Sequence, residues 1–286
     1  MVQLKKILVP FDDNDRSIQA LEYAGMFASK ISGKITALHV ADPRDYKSKE
    51  DFQNSINSLV NDRLRPRLLM IQQRYPEVHS MDLQIRGLDQ PLHRHIIDFA
   101  SENEFDFIVL RSHGLPETTN WELSFSSTTA YKVVLESVCP VFTFTVDTTR
   151  KKIQNILLPL DLIEGTLYKV PIAISIARQF EATIHLLSAS EEQDTHSELS
   201  KQMTEIEEEL IQQSVRVVRN QVMVDDFHSA IDTYTNSNQL DLMVIMNRPG
   251  FRWSDLWVSP KAKRIIGHSK IPVISVRANK PLDIGF

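Results

Sequence analysis

One cysteine, eight glycines and three tryptophans in 286 residues are small numbers, and two of them exclude something at once. The lone cysteine, Cys139, rules out an intramolecular disulfide framework. It lies in the apolar run Val138-Cys139-Pro140-Val141-Phe142, so burial as a small hydrophobe is expected. Few glycines leave little bare backbone with which to cradle phosphates. No apolar stretch approaches the ~18 residues of a membrane span. Met-Val-Gln-Leu-Lys-Lys at the start has no apolar segment behind a basic one, so no secretory leader and a cytoplasmic location are expected. Charge of one sign is also missing. The formal net charge is -5, with 17 Lys+Arg against 20 Asp+Glu in residues 1–150 and 15 against 17 in the rest. Neither half offers a basic field to nucleic-acid phosphate, so neither nucleic acid nor membrane is an expected partner.

Signatures of catalysis are absent as well. There is no Gly-x-Ser-x-Gly elbow, no His-Glu-x-x-His and no Walker loop. His93 and His95 lie two apart on a predicted helix, face different directions and make a poor metal pair. Asp12-Asp13-Asn14-Asp15 has neither the glycine nor the distal glutamate of a calcium loop. The expectation is a protein that is not an enzyme and holds no metal.

What the chain does have is a duplication. Ile7-Leu8-Val9-Pro10-Phe11-Asp12 has a counterpart in Ile156-Leu157-Leu158-Pro159-Leu160-Asp161. "FDFIVL" at 105–110 matches "LDLMVI" at 240–245, and "CPVFTF" at 139–144 matches "IPVISV" at 271–276. The order is the same in both halves, which predicts two domains, 1–148 and 152–286, joined by a short polar linker. Continuous apolar runs predict strands at 6–11, 35–40, 80–86, 106–110 and 139–145, covered on both faces as in parallel sheets. Helix-period segments fall at 16–31, 50–74, 91–102 and from 127 to 136, with Pro66 expected to interrupt the second. The second half predicts strands at 155–160, 183–188, 215–220, 241–246 and 272–276. The fold class is therefore α/β: two tandem doubly wound domains, each a five-stranded parallel sheet. A fifth strand at a sheet edge would expose a long apolar edge, so the two fifth strands are expected to pair in an intramolecular pseudo-dimer. A homodimer is a further expectation.

Ligands of open α/β sheets bind beyond the carboxyl ends of the strands, at the topological switch point. That directs attention to "FDDNDRS" at 11–17 and to the stretch after the fourth strand, "RSHGLPETTNWELSFSSTTAY" at 111–131. The Asp12 carboxylate can accept from a base amino group or a ribose hydroxyl. Asp12, Asp13 and Asn14 are equally placed to cap the next helix. Trp121 and Phe125 are either a cover over the crevice or anchors for their loop. His113 is either a phosphate contact or bonded to loop backbone.

The whole ordered set, "ILVPFD" with "ILLPLD", "DFIVLRSHG" with "DLMVIMNRPG" and "CPV" with "IPV", resembles the universal stress protein family in its tandem two-domain form. The resemblance covers nearly all the chain. It implies the adenine nucleotide alpha hydrolase-like, flavodoxin-like topology, with pairing through the fifth strands. Members that bind ATP carry Gly-x-x-Gly, nine residues, then Gly-Ser/Thr. Glycines there admit the phosphates, and the following helix N-terminus supplies N–H donors. In this chain Arg111 replaces the leading glycine, while His113 and Gly114 remain. Ser127 and Thr128 stand where the last glycine and the hydroxyl residue fall, after a spacer about three residues longer than the family's. The resemblance thus implies a first-domain ligand set of Asp12, Val40, Arg111, His113, Gly114, Ser127 and Thr128, with ATP or AMP as its ligand. In the second domain Asn247 replaces the leading glycine, Gly250 remains, and Ser259 and Pro260 end the motif. Pro260 brings neither N–H nor hydroxyl, so that site is expected to be empty.

The function expected from all this is stress-responsive binding or interaction through degenerate nucleotide sites, with a protein partner the sequence does not name. The alternative is an adenine-nucleotide sensor working through the first domain, with slow ATP hydrolysis as its only chemistry. A nucleotide-activating enzyme of the related α/β families would need a glycine-bearing pyrophosphate loop after the first strand, and "FDDNDRS" is acidic and glycine-free.

Overall fold

The computed structural model describes residues 4–112, 129–145, 152–160, 166–190, 193–223, 227–247 and 269–277. In the first repeat the order is β1 (Lys6–Pro10), α1 (Asp15–Ile31), β2 (Lys34–Ala41), α2 (Lys49–Leu59), a π-helical turn (Val60–Leu64), α3 (Arg65–Arg74), β3 (Ser80–Gly87), α4 (Leu92–Glu102), β4 (Phe107–Arg111), α5 (Thr129–Glu136) and β5 (Val141–Phe144). The second repeat gives β6 (Asn155–Leu160), α6 (Val170–Phe180), β7 (Thr183–Ser190), α7 (Gln193–Gln212), β8 (Arg216–Met223), α8 (Phe227–Ser237), β9 (Leu242–Asn247) and β10 (Val273–Arg277). A 3-10 turn at Thr166–Lys169 leads into α6. The described residues fall into two compact units, one of them Leu4–Arg111 with residues 129–142, and the division lies within β5.

Strand order is β3-β2-β1-β4-β5 in the first repeat and, in the same sense, β8-β7-β6-β9-β10 in the second. β1 pairs in parallel with β2 and β4, and β6 with β7 and β9. The switch point of each sheet therefore lies where β1 parts from β4, or β6 from β9. β4, β5 and β6 are buried along nearly their whole length, as the apolar runs require, whereas β3 and β8 are only half-buried. In the first repeat, Phe27 of α1 meets Phe107 of β4 and Phe142 of β5 at ring centroids of 5.3 and 5.2 Å, which seats α1 over the sheet.

The interruption expected at Pro66 takes the form of the π turn just before it. Proline in the first turn of α3 donates no N–H to the preceding turn, and the helix widens to absorb the missing bond.

The duplication extends to single hydrogen bonds. Asp106 Oδ2 accepts from the N–H groups of Lys5 and Lys6 at 2.9 and 2.8 Å. Asp241 Oδ2 accepts from those of Gln154 and Asn155 at 2.9 and 3.0 Å. The aspartate shared by "FDFIVL" and "LDLMVI" is thus a clamp on the entry of the first strand of each repeat, at the opposite end from the switch-point crevice. Ser32 and Glu181 end α1 and α6 in the left-handed conformation, at φ 48° and 55°, a position usually given to glycine. A chain with few glycines tolerates side chains there in both copies.

Candidate ligand site

β1 delivers its last residues to the carboxyl edge of the sheet. Pro10 pairs with Leu38 of β2, and the Phe11 N–H donates to the Leu38 carbonyl at 2.8 Å. One residue on, Asp12 leaves the sheet beside the end of β2, where His39 and Val40 stand. His39 is buried, and its Nδ1 lies 3.0 Å from the Phe11 carbonyl oxygen and 3.1 Å from Asp12 Oδ1. Both of those atoms only accept, so Nδ1 carries a proton and donates. Asp12 keeps 57% of its side-chain surface exposed. Its backbone N–H donates to Ser17 Oγ at 3.0 Å, which ties the loop to the first turn of α1.

The three polar residues of this loop separate into three roles. Asn14 is the helix cap, with Oδ1 accepting from the Ser17 N–H at 3.0 Å. Asp13 forms ion pairs with Arg63 and, at 3.0 Å, with Arg67. Asp12 takes no part in capping. Among the described residues no group of three His, Cys, Asp or Glu side chains could hold a metal ion.

Burial opposes a charge on His39. The hydrogen bonds to Asp12 and to the Phe11 carbonyl, with the negative charge of Asp12, outweigh it and raise the imidazole above its ordinary 6.5. The ring therefore holds its second proton more tightly than a free histidine.

Of the sequence-derived ligand set, Asp12, Val40 and Arg111 are described. Val40 is half-buried, one residue from the end of β2 and paired with Arg86. Arg111 is the last residue of β4, and the register Leu8 with Ile108 carries it to the level of Phe11. Asp12, just beyond β1, thus shares the carboxyl edge of one sheet with Val40 of β2 and Arg111 of β4. His113, Gly114, Ser127 and Thr128 lie outside the described residues, as do Trp121, Phe125, Gly250, Ser259 and Pro260. His39 was missed from the sequence. The available signal was a polar residue in the apolar strand "ITALHVA", one place before Val40 and next to the exit of β1.

The second repeat differs at the same places. By the alignment of Pro10 with Pro159, His39 corresponds to Ser188 and Ala20 to Lys169. Ser188 is buried, and its Oγ points to Met203 Sδ at 3.1 Å. Lys169 is buried as well, and its Nζ donates to the Pro159 carbonyl. Where the first repeat has a small methyl group, the second brings an ammonium to the end of β6.

The sequence model of the universal stress protein family matches residues 3–144 and again 152–277. Among solved structures, a universal stress protein from Archaeoglobus fulgidus DSM 4304 superimposes with a TM-score of 0.74 at 17% identity, covering 96% of this chain and 97% of that one. A protein of unknown function from Pseudomonas aeruginosa PAO1 gives 0.64 at 16% identity, over 96% of this chain and 92% of its own. At such identities the likeness is one of fold. No curated protein matches the chain. No helix among the described residues is long and apolar enough to cross a membrane. Since the family's sequence pattern accounts for both repeats and nearly all of the chain, the protein belongs to the universal stress protein family, as a tandem of two such domains.

Proposed function

We propose that this chain is a stress-responsive binding protein and not an enzyme, with domains at 1–148 and 152–286, and that only the first domain keeps a ligand crevice. The ligand class that suits it is an adenine nucleotide, ATP or AMP. One observation carries this reading: at the switch point of the first sheet, Asp12 is an exposed carboxylate held by a buried histidine, whereas the second repeat has Ser188 and the buried Lys169 at matching positions. Val40 would line the base, Arg111 would supply charge for phosphate, and His113, Gly114, Ser127 and Thr128 would complete the cradle. The sequence supports the closed state of the second site, because Pro260 offers no N–H to a phosphate. Binding and release, not turnover, is the activity this reading assigns.

Calorimetry of the full chain with ATP and AMP tests the reading. The expected result is one site per chain, lost in Asp12→Ala and untouched by Lys169→Ala. Two equivalent sites, or none at micromolar to millimolar nucleotide, would refute it.

A further inference from the structure

We propose that His39 is a positioning residue for ligand recognition. Its Nδ1–H commits one oxygen of Asp12 to the protein and leaves the other facing outward as the acceptor for the amino group of a 6-aminopurine. This rests on the reading of the first domain as an adenine-nucleotide site, and goes beyond it by assigning a residue and the selectivity that follows.

The geometry has three parts. First, the histidine is fixed before any ligand arrives. Its ring is buried, and Nδ1 lies between the Phe11 carbonyl at 3.0 Å and Asp12 Oδ1 at 3.1 Å. Nδ1 carries a proton in both the neutral and the charged ring; the Phe11 carbonyl accepts it, and Asp12 Oδ1 stands at ion-pair distance from the same nitrogen. Second, the carboxylate has one oxygen to spare. Among the described residues, His39 is the only side chain paired with the Asp12 carboxylate, and more than half of that side chain is open to solvent. A carboxylate turning freely in water would lose that freedom on binding, and one already held by His39 loses less. Third, an acceptor presented in a fixed direction discriminates. It welcomes an exocyclic amino group and repels the oxo group that replaces it in hypoxanthine, because two acceptors would then face each other.

The second repeat serves as an internal comparison. Ser188 takes the place of His39, and its hydroxyl is turned to Met203 Sδ, not to the strand exit. The holding device is therefore missing from the repeat in which the rest of the crevice is also altered. A buried histidine that is only structural would explain the Phe11 contact. It would not require a donor shared with an exposed carboxylate at a ligand-facing strand end.

The test compares ATP with ITP by calorimetry on the full chain, in wild type, His39→Asn, His39→Ser and His39→Leu, with the melting temperature of each recorded. Asparagine places an amide N–H about where Nδ1 stands, and serine copies the second repeat. Wild type is expected to prefer ATP over ITP. His39→Ser and His39→Leu are expected to bind ATP about tenfold more weakly, the effect of roughly one hydrogen bond, and to lose most of the preference. His39→Asn should recover the preference even if its melting temperature drops. Should His39→Leu fail to fold, His39→Ser against His39→Asn carries the same comparison. An unchanged ATP-to-ITP ratio in His39→Ser, or a His39→Asn no better than His39→Ser, overturns the assignment of His39 while leaving nucleotide binding intact. Absence of ATP binding in wild type overturns the nucleotide reading itself, and this inference with it.

Discussion

Gly25 lies midway along α1, the helix that starts from the candidate site, and its replacement by alanine gives a sign that can be worked out. A Cβ built there would sit 2.4 Å from Tyr75 Cδ2, 2.8 Å from Cε2 and 3.0 Å from Cγ. The ring is not free to swing aside. Tyr75 OH donates to Glu22 Oε2 at 3.0 Å, and Arg74 pairs with the same carboxylate. Burial, then the nearby charge of Glu22, push the phenol up to about 12, so it stays a donor at any working pH. Overpacking of this kind costs roughly 1–3 kcal/mol. Alanine in mid-helix recovers about 1 kcal/mol over glycine. The net expectation for Gly25→Ala is a loss of up to about 2 kcal/mol. In a Tyr75→Ala background the clash is gone, and the same substitution should stabilise by up to ~1 kcal/mol. Urea denaturation followed by tyrosine and tryptophan fluorescence, with circular dichroism as a second probe, would measure all four corners of the cycle. A Gly25→Ala effect of the same sign and size in both backgrounds would show that α1 and the end of α3 are not packed as described.

Other consequences are simpler to state. Asp241→Ala should cost about 2–3 kcal/mol because it strips two part-buried backbone N–H groups of their acceptor, and Asp106→Ala should cost less because its pair is exposed; nucleotide affinity should change in neither, and calorimetry would reveal any change. His39 and His185 should give the two repeats opposite pH responses. His39 is raised, so its contribution is fully present below the unfolded value of about 6.5 and lost as pH rises through its folded value; Asp12→Asn should therefore destabilise at pH 6 by under ~1 kcal/mol, and by less at pH 8.5. His185 is lowered by burial, so its contribution is present at high pH and fades as pH falls below 6.5; His185→Gln should flatten that part of a stability–pH profile. Burial pushes the Cys139 thiol up to about 11, so native protein at pH 8 should resist a thiol reagent that labels it fully in urea, and rapid native labelling would contradict its burial.

Much of the architecture was legible because it rests on long patterns. The strands are apolar runs, the helices repeat every three or four residues, and the same signatures occur twice in one order. Helix boundaries near Asn14 and Ser48 follow from side chains that accept from the N–H of the third residue on, a local rule visible in sequence. The site was legible only in part. Asp12 could be placed at the end of β1, but not distinguished from a helix cap, because aspartate and asparagine serve equally well there. Deciding that Asp13 pairs with Arg63 and Arg67, and that Asp12 faces His39, requires contacts across 27 to 54 residues of chain. His39 escaped notice for a related reason. A histidine within an apolar strand reads as a core residue until the β1–β2 register brings it against the strand exit.

The duplication also shows which constraints have kept the two copies alike. At the entry of the first strand, both repeats use an aspartate to take two backbone N–H groups, and at the end of the first helix both use a left-handed residue other than glycine. Those groups would be left unpaired or strained in either copy, whatever the domain binds, so folding alone holds them. At the opposite end the copies have parted: His39 against Ser188, Ala20 against Lys169. No folding rule obliges a sheet to end in a buried imidazole holding an exposed carboxylate, and the second repeat folds without one. A feature that folding does not require, found at the switch point of one copy and absent from the other, is where the proposed difference in ligand binding between the two domains would have its physical basis.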